Sequence, residues 1–121
     1  MMQKLFARCN EGQRIFILNQ LLPDLPAIAL STQGTHTLQA FVPLITSEQE
    51  INLIVDRMTP HIVELAPATN STHFLQKIVV YFPFAQTISF YKVALSNFSS
   101  FAKNKNCICI LKHMMKKIRD M

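Results

Sequence analysis

Tryptophan is absent from this 121-residue chain, glycine occurs only twice, and only 16% of the residues are charged. A turn-rich β-sandwich draws on glycine for its left-handed turn positions, so the shortage argues against one. Abundant Leu, Ile, Met, Gln and Ala argue for helices, and an all-α fold is expected. The same shortage leaves no Gly-rich phosphate loop, and no G-x-S-x-G elbow occurs. Catalysis is therefore not expected, and with it no small-molecule substrate and no cofactor. Long apolar runs are also missing. IVVYFPF, from Ile78 to Phe84, falls well short of the roughly 20 residues that span a bilayer, so no membrane segment is read. The opening MMQKLFARCNEGQR has neither a continuous apolar core nor a small-residue cleavage site, and an intracellular protein is expected. Cys9, Cys107 and Cys109 are an odd number in such a chain, which argues for reduced thiols rather than disulfides.

What is present is 50% hydrophobic, enough for one folded domain. Twelve Lys and Arg against seven Asp and Glu give a net charge of +5. Much of the surplus lies at Lys103, Lys105, Lys112, Lys116, Lys117 and Arg119. A polyanionic partner fits that balance, as does a solvated helix face.

The strongest signal is repetition. TQGTHTLQAFV begins at Thr32 and TNSTHFLQKIV at Thr69, 37 positions later. A third, weaker copy is KNCICILKHMM, from Lys105 to Met115. MQKL at Met2–Leu5 matches LQKI at Leu75–Ile78, and Pro23 and Pro60 each precede the repeated Gln39 and Gln76 by 16 residues. A period of this length marks stacked supersecondary units. The expected units are 1–9 (partial), 10–46, 47–83 and 84–121.

Three helical pieces are read per unit: about 14–22, 23–30 and the first repeated segment; 47–58, 60–66 and the second; then 85–95, 96–102 and 106–119. Ser47 and Glu50 form an S-x-x-E capping box. Pro23 and Pro60 suit the first turn of the following helix, where no amide hydrogen is needed.

On a helix, Leu38, Phe41, Val42 and Ile45 share one broad apolar face with Thr37. Thr35 and Gln39, four apart, lie together on the other side with His36 beside them. Thr72, Gln76 and His73 repeat the arrangement. A glutamine amide pairs donor and acceptor as a nucleobase edge does, and a flat imidazole can stack on a base. An ordinary exposed polar helix surface is the alternative. Phe41, Phe74, Phe90 and Phe101 are expected in the core.

The motifs GTHTLQ from Gly34, STHFLQ from Ser71 and CICILK from Cys107 resemble the G-x-x-x-[IVL]-Q element of Pumilio-family (PUF) RNA-binding repeats. The resemblance covers nearly the whole chain. It implies a partial Pumilio homology domain over 1–121, a right-handed α-solenoid (α-α superhelix) of roughly 36-residue three-helix repeats. It also implies that Thr35 and Gln39 contact one base edge of single-stranded RNA, that Thr72 and Gln76 contact the next, and that His36 and His73 stack between bases. Adenine is the base implied by a small polar residue paired with Gln. The third unit departs from the pattern: Ile108 and Lys112 replace the small polar residue and Gln, and Cys109 replaces the stacking residue. Lysine only donates, which suits a phosphate better than a base edge.

Members of the family usually carry eight repeats, whereas about three are visible here. Stacking yields roughly 1–3 kcal/mol per base against an association cost of about 4–15 kcal/mol. The last helix also carries Met114, Met115, Ile118 and Met121 with no unit to cover them, so a piece of a longer array is expected. The implied function is recognition of mRNA, in the 3′ untranslated region, for translational repression or decay. Its partners would be mRNA and repressor or decay-machinery proteins, in the cytoplasm. Two alternatives stand: a protein-interaction α-solenoid of armadillo or HEAT type, and a nucleolar ribosome-biogenesis relative that binds RNA without base specificity. No metal site is expected, since Cys107 and Cys109 project nearly opposite ways and the remaining Cys and His residues are scattered.

Overall fold

Helix starts in this chain are fixed by short polar side chains. Asn10 Oδ1 accepts from the Gln13 amide at 2.8 Å while Gln13 Oε1 accepts from the Asn10 amide at 3.0 Å, a reciprocal capping box. It opens α1, Glu11–Leu21. Ser31 caps α3 through the Gly34 amide. Asn104 caps α9 through the amides of Asn106 and Cys107. Each such cap contributes about 1 kcal/mol.

The computed structural model describes residues 8, 10–45 and 47–120; of the partial unit 1–9, the MQKL segment and Cys9 lie outside the described residues. Among them are nine α-helices and no strand: α1, α2 (Leu25–Leu30), α3 (Thr32–Phe41), α4 (Glu48–Met58), α5 (Ile62–Leu65), α6 (Ser71–Tyr81), α7 (Phe84–Ser96), α8 (Phe98–Ala102) and α9 (Lys105–Arg119). The order long, short, long recurs three times. This is the all-α repeat architecture expected from the sequence.

Two local expectations are corrected. Ser47 Oγ does accept from the Glu50 amide, at 3.2 Å, but the Glu50 carboxylate does not take up the Ser47 backbone amide as a full capping box requires. The carboxylate instead accepts from the Ser47 hydroxyl and from Arg14 of the preceding unit, at 2.9–3.3 Å. A charged guanidinium outcompetes a neutral amide for that acceptor. Pro23 and Pro60 lie not in the following α-helices but in 3₁₀ turns, Leu22–Asp24 and Thr59–His61, that join the long helix to the short one. The tighter turn uses the fixed proline φ without interrupting the chain's coiling.

The long helices form two rows. In one, α1 packs on α4 and α4 on α7; in the other, α3 packs on α6 and α6 on α9. Polar ties set the direction within the first row. Arg14 near the start of α1 pairs with Glu50 near the start of α4, while Arg57 at the end of α4 donates to the carbonyls of Leu22 and Pro23, at 2.7 and 2.8 Å, just past the end of α1. Start meets start and end meets end, so α1 and α4 run parallel.

The core runs between the rows and holds Phe41, Phe74, Phe82, Phe90 and Phe101, all essentially buried. Each contributes roughly 2–3 kcal/mol by leaving water. Phe41, Phe74, Phe90 and Phe101 were the aromatic residues expected there. Met114, expected uncovered, is buried, whereas Met115 and Ile118 are 68% and 52% exposed. The helical period explains the difference: Met114 follows Ile110 and Cys107 on the face that packs on α6, and Met115 falls 100° further round. Met121 lies outside the described residues. No described helix is long and apolar enough to cross a membrane.

Candidate nucleic-acid interface

The row α3, α6, α9 carries the repeated motif, and small residues let these helices start close to their neighbours. A Cβ at Gly34 would fall on the Ile28 carbonyl oxygen and the Ser31 hydroxyl. At the matching place in α6, Ser71 is buried and donates to the Leu65 carbonyl at 2.6 Å. In α9 the position is Cys107, also buried, and burial pushes its thiol pKa up.

Asparagine then ties each unit to the one before. Asn70 Nδ2 donates to the Leu30 carbonyl at 2.9 Å, and Asn106 Nδ2 donates to the Pro67 carbonyl at 2.8 Å. Thr35 and Thr72 complete the seam. Thr35 Oγ1 donates to the Asn70 carbonyl at 2.8 Å, and Thr72 Oγ1 to the Asn106 carbonyl at 3.4 Å. At the other end of the row, Lys117 Nζ donates to the Val80 carbonyl at 2.9 Å. Beginnings therefore meet beginnings and ends meet ends, and α3, α6 and α9 lie parallel.

This seam corrects the expected polar stripe. Thr35 and Thr72 are 2% and 1% exposed rather than on the surface. At the first turn of a helix, the side facing the next helix's start is interior, and a threonine hydroxyl there satisfies a carbonyl that would otherwise be orphaned. The glutamines stay outside. Gln39 Nε2 donates back to Thr35 Oγ1 at 3.3 Å, and Gln76 Nε2 to Thr72 Oγ1 at 3.4 Å. Each Gln is half-buried, held by one amide hydrogen, with its carbonyl oxygen and second amide hydrogen left to meet an incoming group.

Gln39 and Gln76 line one groove of about 270 Å³ together with His73, Lys77, Tyr81 and His113. His36 and His73 are both exposed. Lys77 Nζ stands 5.3 Å from the centre of the Tyr81 ring, a cation–π contact that leaves half of the ring's residue surface in solvent. The third unit does not repeat the first two. Ile108 is half-buried, Cys109 is an exposed free thiol, and Lys112 is exposed and faces a separate hollow with Met115, Lys116 and Arg119. The residue of α9 that enters the groove is His113.

Sequence reasoning missed Lys77, Tyr81 and His113, and also the Asn70–Asn106 pair. The pair had a signal, the same residue 36 positions apart just ahead of each motif. His113 had one too, standing 37 after Gln76 as Gln76 stands 37 after Gln39, although the buried residues of α9 follow a register of 36. Among the described residues no group of three His, Cys, Asp or Glu could hold a metal ion.

No protein-family model and no curated protein sequence matches the chain. Solved structures do. The Puf4 RNA-binding domain bound to the HO endonuclease RNA 3′ UTR recognition sequence superposes with a TM-score of 0.92 at 23% identity, over 96% of this chain and 36% of that one. A mutant of Puf4 bound to the Cox17 RNA 3′ UTR recognition sequence gives 0.92 at 22%, over the same shares. The RNA-binding domain of yeast Puf5p bound to MFA2 RNA gives 0.86 at 20%, over 95% of this chain and 33% of that one. The chain thus spans about a third of the length of those domains. With its stacked long–short–long units and a motif helix in each, the chain has the all-α Pumilio-type repeat fold of the Puf4 and Puf5 RNA-binding domains.

Proposed function

We infer that the chain binds single-stranded RNA along the α3–α6–α9 row, with 10–46, 47–83 and 84–121 as successive repeat units of a partial Pumilio homology domain. The observation that carries this is the shared groove: Gln39 and Gln76, from matching positions of two parallel helices, are each anchored by a buried threonine and open toward the same space. A glutamine held by one amide hydrogen keeps a donor and an acceptor side by side, which is the pattern of an adenine edge. Gln39 and Gln76 take the base edges, Thr35 and Thr72 hold them in place, and the exposed His36 and His73 stack on the bases. Support also comes from the three neighbours of the same fold, each bound to RNA, two of them to 3′ UTR recognition sequences.

From that resemblance the cellular role is recognition of mRNA 3′ untranslated regions in the cytoplasm for translational repression or decay, with repressor or decay proteins as partners. Catalysis is no part of this function. The test is selection from a random pool of short single-stranded RNAs by the 121-residue chain, with Gln39→Ala and Gln76→Ala run in parallel. An enriched motif that degrades in both variants, with unchanged helical circular dichroism, is the expected result. Binding without any enriched motif would favour an RNA binder without base specificity, and no binding at low salt would favour a protein-interaction solenoid.

A further inference from the structure

The groove does not stop at the two glutamines. Val80 and His113 line both it and a second hollow of about 240 Å³, whose other walls are Lys116, Lys117 and Asp120. Along this path stand Lys77, His113, Lys116 and Lys117, with one carboxylate among them. That carboxylate, Asp120, is paired with the Arg119 guanidinium at 3.3 Å, which offsets its charge. Lys117 is fixed by its bond to the Val80 carbonyl, so its ammonium has a set position with two hydrogens remaining. Lys77 is steadied by the Tyr81 ring. Lys116 is exposed. The path is thus cationic and open, and it lacks the side-by-side donor and acceptor that a base edge needs.

We propose that this second hollow, continuous with the base-contacting groove through Val80 and His113, holds the sugar–phosphate backbone of the RNA flanking the two glutamine-read bases. The proposal rests on the RNA-binding function inferred above. Lysines donate to phosphate oxygens without regard to sequence, and each neutralised phosphate releases counterions. Bases and backbone are then held by different residues: Gln39 and Gln76 give preference, while Lys116 and Lys117 of the second hollow give affinity that depends on salt.

The test is equilibrium binding of the 121-residue chain to one short single-stranded RNA across a salt series, comparing wild type, Lys116→Gln/Lys117→Gln, and the control Lys92→Gln on α7 of the other row. Each lost phosphate contact on a single strand makes the slope of log affinity against log salt shallower by about 0.7. The double variant is expected to be shallower by about 1.4, to lose affinity equally for all sequences, and to keep the wild-type base preference. Lys92→Gln is expected to keep the wild-type slope. An unchanged slope in the double variant, or an equal change in Lys92→Gln, would overturn the proposal while leaving RNA binding intact. Failure of the wild-type chain to bind RNA at all would overturn both the proposal and the function on which it rests.

Discussion

The Thr35 hydroxyl donates to the Asn70 carbonyl at 2.8 Å, bridging the first unit to the start of the motif helix in the second. The same oxygen accepts from the Gln39 amide at 3.3 Å. One buried hydroxyl therefore joins two units and orients the glutamine that faces the groove. The tie between units and the anchor of the glutamine meet at a single atom, and Thr72 repeats the arrangement with Asn106 and Gln76.

Replacing that hydroxyl by a methyl group separates the two roles from simple packing. Thr35→Val keeps shape but leaves the Asn70 carbonyl and one Gln39 hydrogen without their partner. The expected loss is about 1–2 kcal/mol in urea denaturation. Thr35→Ser keeps the hydroxyl and is expected to lose less than half as much.

Gly34→Ala would favour an isolated helix by about 1 kcal/mol. Here the added methyl meets the Ile28 carbonyl oxygen, which belongs to backbone and cannot swing away. A net destabilisation of about 1–3 kcal/mol is expected from overpacking. Thermal melting monitored at 222 nm checks the sign, and an increase in stability would contradict the close approach of α2 and α3.

Glu50 is fully buried against Arg14, itself mostly covered. Glu50→Ala removes the buried carboxylate that the Arg14 guanidinium pairs with in the seam between α1 and α4, and takes an acceptor from the Ser47 hydroxyl. The expected cost is about 3 kcal/mol. Chemical denaturation gives it directly, and Ser100→Ala on the exposed surface of α8 serves as a near-neutral control.

Burial pushes the Tyr91 and Cys107 pKa values above their ordinary 10.0 and 9.0. A proton held more tightly in the folded state stabilises the fold. That contribution is complete below the unfolded-state pKa and is lost as pH rises through the folded-state value. Stability is therefore expected to fall as pH climbs past 9 and again past 10. Tyr91→Phe should remove the second part of the fall. It should also raise stability at pH 7 by about 1 kcal/mol, because the Tyr91 hydroxyl is buried without a hydrogen-bond partner among the described residues. Denaturant midpoints across the pH series provide the check.

The repeat was legible because it is written twice in polar letters that packing alone does not require. Gln39 and Gln76 could be placed on one side of the molecule from their spacing and period. The threonines could not be placed correctly, because a helical wheel knows only its own helix. Thr35 and Gln39 share a stripe on that wheel, yet the start of α6 covers one and not the other. Glu50 misled for the same reason: its local partner was the helix start, but Arg14, 36 residues earlier, claims it. In the third unit the motif letters vanish and the spacing offers both Lys112, at 36, and His113, at 37; packing in three dimensions shows that α9 sends His113 into the groove.

The most direct measurement is the affinity of the wild-type chain, Gln39→Ala and Gln76→Ala for a panel of RNAs carrying every single-base change in the selected site. Gln39→Ala should flatten preference at one position and Gln76→Ala at the position next to it, each by about tenfold, with all other positions unchanged. Flattening at the same position by both variants, at two distant positions, or at none would contradict the pairing of one parallel helix with one base.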